Sequence, residues 1–294
     1  MLRRPSGTPR NDGESHLALV EKALEQALPP ESAYPREIHE AMRYAAIDGG
    51  KRFRPLLVLS ACEAVGGSPK QALIPACAVE LIHSYSLVHD DLPALDNDAT
   101  RRGKPTCHRR FGEALAILTG DALLTRAFRL LSESRPAERA VKLLQELGDA
   151  AGTQGMVGGQ VVDILIAKNG SKHRIRPATV DFISRCKTGR LIEASAVLGA
   201  IVGTNSPSKI KRVRQFGRAL GLAFQVVDDI MDGDGYLQVM NRDRARRKAE
   251  ALIQKAKQEA KHFGKKGRRL LALADFLLNR STTPLKHVPL DSKN

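Results

Sequence analysis

The stretch from Ile82 to Arg102, IHSYSLVHDDLPALDNDATRR, sets Asp90, Asp91, Asp96 and Asp98 at the end of an apolar helical run, with Arg101 and Arg102 directly behind. Carboxylates this close raise one another's pKa unless a cation lies between them. Clustered oxygen ligands with no Cys among them suit a hard divalent cation, Mg2+ first. A second cluster, Asp228, Asp229 and Asp232, closes another apolar run, Ala219 to Val227. Asp228 and Asp232 are four apart and face the same way on a helix. Asp90 and Asp96 are six apart, so they can share a metal only if the helix ends or distorts at Leu92-Pro93, where proline removes a backbone donor. Two acidic clusters on two buried helices read as a metal clamp around a polyphosphate.

Cations are placed to meet that polyphosphate. The segment Asp48-Gly49-Gly50-Lys51-Arg52-Phe53-Arg54-Pro55 is a glycine turn opening into a helix. Lys51 and Arg54 are three apart and can share a face at the helix N-terminus, where free backbone N–H groups also favour an anion. The competing reading is two solvated charges at a helix start. His83 lies seven residues before Asp90, nearly on the same face; a lone histidine on an apolar helix is otherwise a satisfied core group. The glycine-rich run Thr153 to Gln160 follows no strand pattern and is rejected as a nucleotide fingerprint. Gln160 and Asp163 share a helical face. Neither a Ser-His nor a Cys-His pairing presents itself as a nucleophile, and Cys107-His108 reads as a packed thiol beside a polar neighbour.

The elements that must position these groups are helical. The chain has 294 residues, four cysteines, no tryptophan and 4% aromatics, a composition that favours helix over sheet. Apolar periodicity predicts helices over 16–28, 34–46, 56–65, 69–88, 112–132, 137–150, 179–203, 208–227 and 270–278, with a polar loop at 168–176. No alternating strand pattern of useful length and no internal repeat appear. The fold class is therefore all-α, a helical bundle enclosing the acidic clusters in a central cavity. Residues 1–15 read as a disordered N-terminal tail, 16–280 as one domain and 281–294 as a C-terminal tail. No apolar run reaches the length of a membrane span, and scattered free thiols fit a reducing compartment, so a cytoplasmic protein is the default. The formal charge of +15 lies largely between Arg242 and Arg269. There Ala245, Ala249, Leu252, Ile253, Ala256 and Ala260 fall on one helical side and the cations on the other. With no aromatics interleaved for base stacking, this is a solvated helix face, and nucleic acid is not the expected partner.

These motifs resemble the trans-isoprenyl diphosphate synthases, most closely the bacterial farnesyl type, over Asp48 to Met231. Gly49-Gly50-Lys51-Arg52-Phe53-Arg54-Pro55 is similar to the family's isopentenyl diphosphate site. Asp90-Asp91-Leu92-Pro93-Ala94-Leu95-Asp96 is similar to its first aspartate-rich motif, and Arg101-Arg102-Gly103 follows. Gly158-Gly159-Gln160 with Asp163, Lys187-Thr188, and Phe224-Gln225 before Asp228-Asp229 fall in family order. The resemblance implies an isoprenoid synthase-type bundle, a homodimer, and Mg2+ held by Asp90, Asp91, Asp96, Asp228, Asp229 and Asp232. It implies isopentenyl diphosphate on Lys51, Arg54, His83 and Arg102, and the allylic diphosphate on Arg101, Lys187, Thr188 and Gln225. Asp90, Asp91, Asp96, Lys187 and Asp228 would carry the catalysis. Tyr85 and Ser86 would set chain length at the fifteen-carbon product, with a twenty-carbon product or a non-catalytic subunit as alternatives.

One departure stands out. After Asp232 the family runs through a glycine- and lysine-bearing loop and a helix, whereas here Gly233 to Asn241 passes almost directly into Arg242. The family lysine beyond the second motif has no counterpart, and Arg242, Arg244 and Lys248 are the nearest cations that could stand in for it.

Overall fold

A computed structural model describes residues 15–47, 49–169 and 175–282. Most of both expected tails, Asp48 and the centre of the polar loop lie outside the described residues. Ser15, assigned above to the tail, is instead the N-cap of α1 (His16–Ala27), its hydroxyl accepting from the Ala18 N–H at 3.2 Å. Next come α2 (Arg36–Ala46), α3 (Phe53–Val65) and a 3-10 turn (Pro69–Ala72) leading into α4 (Leu73–Asp90). A two-residue hairpin, β1 (Thr100–Arg101) with β2 (Lys104–Pro105), is too short for an alternating pattern to announce it. Its Arg102-Gly103 turn has φ of 54° and 77°, the paired positive values of a tight hairpin turn.

The chain continues with α5 (Cys107–Phe111), α6 (Glu113–Ser132), α7 (Ala137–Ala151) and α8 (Met156–Asn169), which takes in Lys168 from the expected loop. The helix expected over 179–203 is three pieces: α9 (Pro177–Ile183), a π turn (Ser184–Gly189) and α10 (Arg190–Gly203). Periodicity is blind to a single widened turn, and such turns concentrate at functional sites. Then come α11 (Pro207–Asp232), α12 (Arg242–Lys261) and α13 (Arg268–Thr282), the last two longer than the apolar pattern required. The architecture is all-α, with α3, α4, α10 and α11 packed at the centre and shorter helices around them.

Pro69–Asp90 is long and apolar enough to cross a membrane, contrary to the reading by run length, but 67% of that window is buried inside the protein. It is apolar because other helices surround it. On α12 the expected face holds: Ala245, Ala249, Ile253, Ala256 and Ala260 are fully buried.

Glycines draw the central helices together. A Cβ on Gly199 of α10 would stand 2.0 Å from the Val58 carbonyl oxygen of α3, and one on Gly221 of α11 would stand 2.7 Å from the Gly189 carbonyl oxygen. The backbones approach so closely that only hydrogen fits between them. Gly199→Ala is expected to lose on the order of 2–3 kcal/mol through overpacking, lowering Tm by roughly 4–6 °C in a domain of this size. Differential scanning calorimetry checks this; an unchanged Tm would mean the helices can separate freely.

Candidate active site

Helix α4 stops at Asp90, and the chain then doubles back. The Asp96 N–H donates to the Asp90 carbonyl at 2.9 Å, and Asn97, at φ 53°, donates from its N–H to the Leu92 carbonyl at 3.1 Å. The turn through Pro93 thus removes the six-residue mismatch between Asp90 and Asp96 by ending the helix. Asp90 accepts from Gln160 Nε2 of α8 at 3.0 Å. Burial pushes its carboxyl up to about 6; Lys187 and Arg101 pull it down, while Asp96 and Asp91 push it further up. A carboxylate pair strained in this way gains by taking a cation.

Asp91 is placed differently. It is buried and grips the Arg101 guanidinium, with Nε to Oδ1 and Oδ2 at 2.8 and 3.0 Å and Nη2 to Oδ1 at 2.6 Å. Arg101 also reaches Asp98 at 3.3 Å. In the second cluster Asp228 lines the cavity described below, and Asp232 ends α11. Asp229 is buried, accepting from Gln225 Nε2 at 2.6 Å and from the Tyr236 N–H at 2.8 Å. Gln225, expected on a diphosphate, here serves Asp229. Among the described residues no three acidic, histidine or cysteine groups form a ready metal cage. Mg2+ does not require one: it keeps its waters and binds through one or two carboxylates plus substrate phosphates. Asp90, Asp96, Asp228 and Asp232 offer the hard oxygen donors such an ion takes. Asp91 and Asp229 are engaged in ion pairing and hydrogen bonding.

Between the clusters lie two adjoining cavities. The larger, about 920 Å³, is lined by Lys51, Arg54, His83, Arg101 and Arg102 and by Asp228. Arg102 projects from the hairpin turn and donates to the Gly49 carbonyl at 2.8 Å. A Cβ on Gly50, at φ 109°, would sit 2.8 Å from Arg102 Nη1, so the glycine admits the guanidinium. Arg54 Nε is buried with no partner among the described residues. Burial, and secondarily Arg102, lowers the Arg54 pKa, against the pull of Glu80 and Asp228. His83 is held well below its ordinary value by burial and by Arg54, Arg102, Arg101 and Arg52, so its ring is neutral.

The smaller cavity, about 300 Å³, is mostly apolar, with Tyr85, Ser86, Leu95, Met156 and Val157 in its wall. Arg54, His83, Leu87 and Thr188 border both chambers. Tyr85 is buried and meets the His89 ring edge-on at 5.9 Å between centroids, and His89 Nε2 is 3.0 Å from the Ile117 carbonyl oxygen of α6. Lys187, on the π turn, ion-pairs with Asp163 of α8 at 2.6 Å. A Cβ on Gly159 would lie 2.2 Å from the Lys187 backbone nitrogen, so this glycine lets α8 press against the widened turn and set Lys187 beside Asp90.

Among the candidate replacements for the family lysine, Lys248 pairs with Asp181 at 2.6 Å and lies over the Tyr236 ring at 4.1 Å. Arg242 donates to the Ile230 carbonyl at 2.8 Å. Both hold the shortened connection in place, and Arg244 contributes its backbone N–H to the Asn241 cap of α12. The sequence reading also passed over Arg52, Glu80 and Phe276 as cavity residues. Arg52 and Glu80 look like solvated charges in a string of letters, and only their burial marks them out.

Residues 35–272 match the polyprenyl synthetase family. The chain belongs to that family, the trans-prenyl diphosphate synthases. It is 45% identical over 287 residues to the Arabidopsis thaliana chloroplastic heterodimeric geranylgeranyl pyrophosphate synthase large subunit 1, covering 89% of this chain and 76% of that one. Among solved structures, an FPP/GFPP synthase from Zymomonas mobilis superposes with a TM-score of 0.83 at 38% identity, over 88% of this chain and 94% of that one. A putative farnesyl-diphosphate synthase from Marinomonas sp. MED121 gives 0.80 at 39% identity, over 90% and 96%. The activity class of this polyprenyl synthetase family member is prenyl transfer, and the two chambers are its candidate active site.

Asp90 holds its proton to a higher pH when folded than when unfolded, so the metal-free folded chain binds more protons than the unfolded one between about pH 4 and 6. Stability of the metal-free protein is therefore expected to fall as pH rises through that window. For a half-buried group the loss is about 1–2 kcal/mol after allowance for solvent screening. Chemical denaturation of Asp90→Asn should show a flatter profile, and Mg2+ at pH 7 should raise the stability of the parent chain more than that of the variant. Identical profiles would remove Asp90 as a strained carboxylate.

Proposed function

We propose that the chain condenses isopentenyl diphosphate with dimethylallyl or geranyl diphosphate and stops at farnesyl diphosphate. The observation that carries this reading is Arg54, a half-buried cation whose buried Nε–H has no partner among the described residues and which borders both the larger chamber and the apolar one. A buried donor without a partner costs free energy that an anionic ligand recovers. Its position at the junction suits a substrate with a charged head and an apolar tail.

Lys51, Arg54, Arg102 and neutral His83 would hold the diphosphate of isopentenyl diphosphate in the larger chamber. Lys187 and Thr188, with Arg101 behind Asp91, would hold the allylic diphosphate beside Asp90. Mg2+ on Asp90, Asp96, Asp228 and Asp232 would neutralise charge on the leaving diphosphate. The allylic carbon–oxygen bond breaks with its electron pair going to the diphosphate. The isopentenyl double bond then supplies the pair for the new carbon–carbon bond, and the C2 proton passes to the released diphosphate. The apolar wall of the smaller chamber would limit the access of water that could otherwise capture the cation.

Product length rests on Tyr85. It lies five residues before Asp90, roughly 7.5 Å up the helix, and its ring stands in the apolar wall. Geranylgeranyl diphosphate is the competing product, favoured by the plant relative's name. Incubating the purified chain with Mg2+, isopentenyl diphosphate and each allylic diphosphate, then separating products by chain length, tests the reading. Asp90→Ala or Asp228→Ala should each lower kcat by roughly 10²–10³-fold or more. Tyr85→Ala should shift product from fifteen to twenty carbons; an unchanged product would mean Tyr85 is core packing only. No turnover by the parent chain alone would favour a non-catalytic subunit.

Exposed Ile117 and Leu118 on α6, with Val157, Val161 and Leu165 at helical spacing on α8, support association of two copies, because monomers rarely leave such apolar faces to water. Sedimentation at about twice the 32.1 kDa chain mass is the expected outcome, and a monomer would overturn it.

A further inference from the structure

We propose that Arg52 is a positioning residue for the isopentenyl diphosphate chamber, acting by neutralising Glu80 so that Arg54 and Arg102 stay available to the substrate. The proposal depends on that chamber taking isopentenyl diphosphate as proposed above. Lys51, Arg52 and Arg54 are neighbours in sequence, yet the fold separates their tasks. Lys51 is exposed and Arg54 borders the chamber, while the Arg52 side chain turns inward and is 1% exposed.

All five guanidinium N–H donors of Arg52 are used. Nε and Nη2 donate to the Glu21 carboxylate of α1 at 2.8 and 3.3 Å, and Nη1 donates to Glu80 Oε1 of α4 at 2.9 Å. Nη1 also donates to the Ala46 carbonyl at 2.9 Å and Nη2 to the Ile47 carbonyl at 2.5 Å, at the C-terminal end of α2. One side chain therefore ties three helices to the start of α3. Its own backbone is left-handed, φ 48°, a conformation unfavourable for a residue with a Cβ that persists only where surroundings impose it. That conformation directs the chain so that Lys51 and Arg54 flank the chamber on either side of Arg52.

Glu80 gives the arrangement its functional consequence. Its side chain is 3% exposed and lines the larger chamber, one helical turn before His83. It acts electrostatically on both Arg54 and Arg102. Without Arg52, Glu80 would be an unpaired buried carboxylate facing an anion site. It would repel the diphosphate and draw Arg54 or Arg102 onto itself. Lysine cannot replace Arg52, because an ammonium has three donors and no planar fork.

Arg52→Lys and Arg52→Met should raise KM for isopentenyl diphosphate about tenfold or more, with kcat and the allylic KM changed by less than about threefold. That corresponds to loss of one or more charge-assisted hydrogen bonds. Calorimetric binding of isopentenyl diphosphate without metal should weaken by the same factor. The double variant Arg52→Met/Glu80→Gln should bring KM back to within about threefold of the parent while remaining less stable to heat. A purely structural Arg52 would instead lower kcat and raise both KM values together, with no rescue by Glu80→Gln, and that result would overturn the proposal. If Arg52→Met does not fold, Arg52→Lys with and without Glu80→Gln serves instead: Arg52→Lys should raise the isopentenyl KM alone and Glu80→Gln should bring it back to within about threefold of the parent, whereas an unchanged KM in Arg52→Lys, or no restoration by Glu80→Gln, would overturn the proposal equally. A parent chain that neither binds nor turns over isopentenyl diphosphate would overturn the functional reading, a result separable from any effect at Arg52.

Discussion

Charge held out of water between α3, α4 and α11 is the constraint on which the rest of this structure depends. An isolated ion in such a place is costly, so each must be paired, hydrogen-bonded or shifted in pKa. The chain meets this requirement in distinct ways. Asp91 takes Arg101, Asp229 takes Gln225 and a backbone N–H, and Glu80 takes Arg52. What these pairings leave is a smaller set in which opposite charges are kept apart. Asp90 sits with a raised pKa beside Asp96, and the Arg54 Nε–H has no partner among the described residues. Those are the groups a divalent cation and a diphosphate would satisfy.

The central helices are apolar because they serve as walls for this charge. Bundle packing brings the C-terminal ends of α4 and α11 towards one chamber. Glycine seams at Gly199, between α10 and α3, and at Gly221, between α11 and the π turn, hold those backbones in close approach. The π turn has a related role, since pressing α8 against the backbone at Lys187 carries that ammonium to Asp163 and to the neighbourhood of Asp90. The shortened connection after Asp232 is closed by other means. Tyr236 is buried, its N–H holds Asp229, and its hydroxyl donates to Asp181 at 2.5 Å, which Lys248 also engages. Arg242 and Lys248, two of the residues that looked like stand-ins for the family's diphosphate-binding lysine, instead anchor α9, α11 and α12 to one another.

The sequence by itself determined the helical class, the two acidic clusters, the glycine-flanked cations and the family. Each is a local matter: periodicity, residue type and spacing are properties of a few consecutive residues. It also determined that α4 had to end near Pro93 for Asp90 and Asp96 to act together, since proline and a six-residue interval are local facts. Tertiary structure alone decided which charges are spent and which remain. Asp90 and Asp91 are adjacent in sequence, yet one faces Gln160 from 70 positions away and the other an arginine on a hairpin. Arg52 and Arg54 are two positions apart, yet among the described residues one has every donor paired and the other has an unmet Nε–H, because the left-handed turn at Arg52 aims their side chains into different surroundings. Desolvation and pairing depend on neighbours brought from distant parts of the chain, and no local pattern records them.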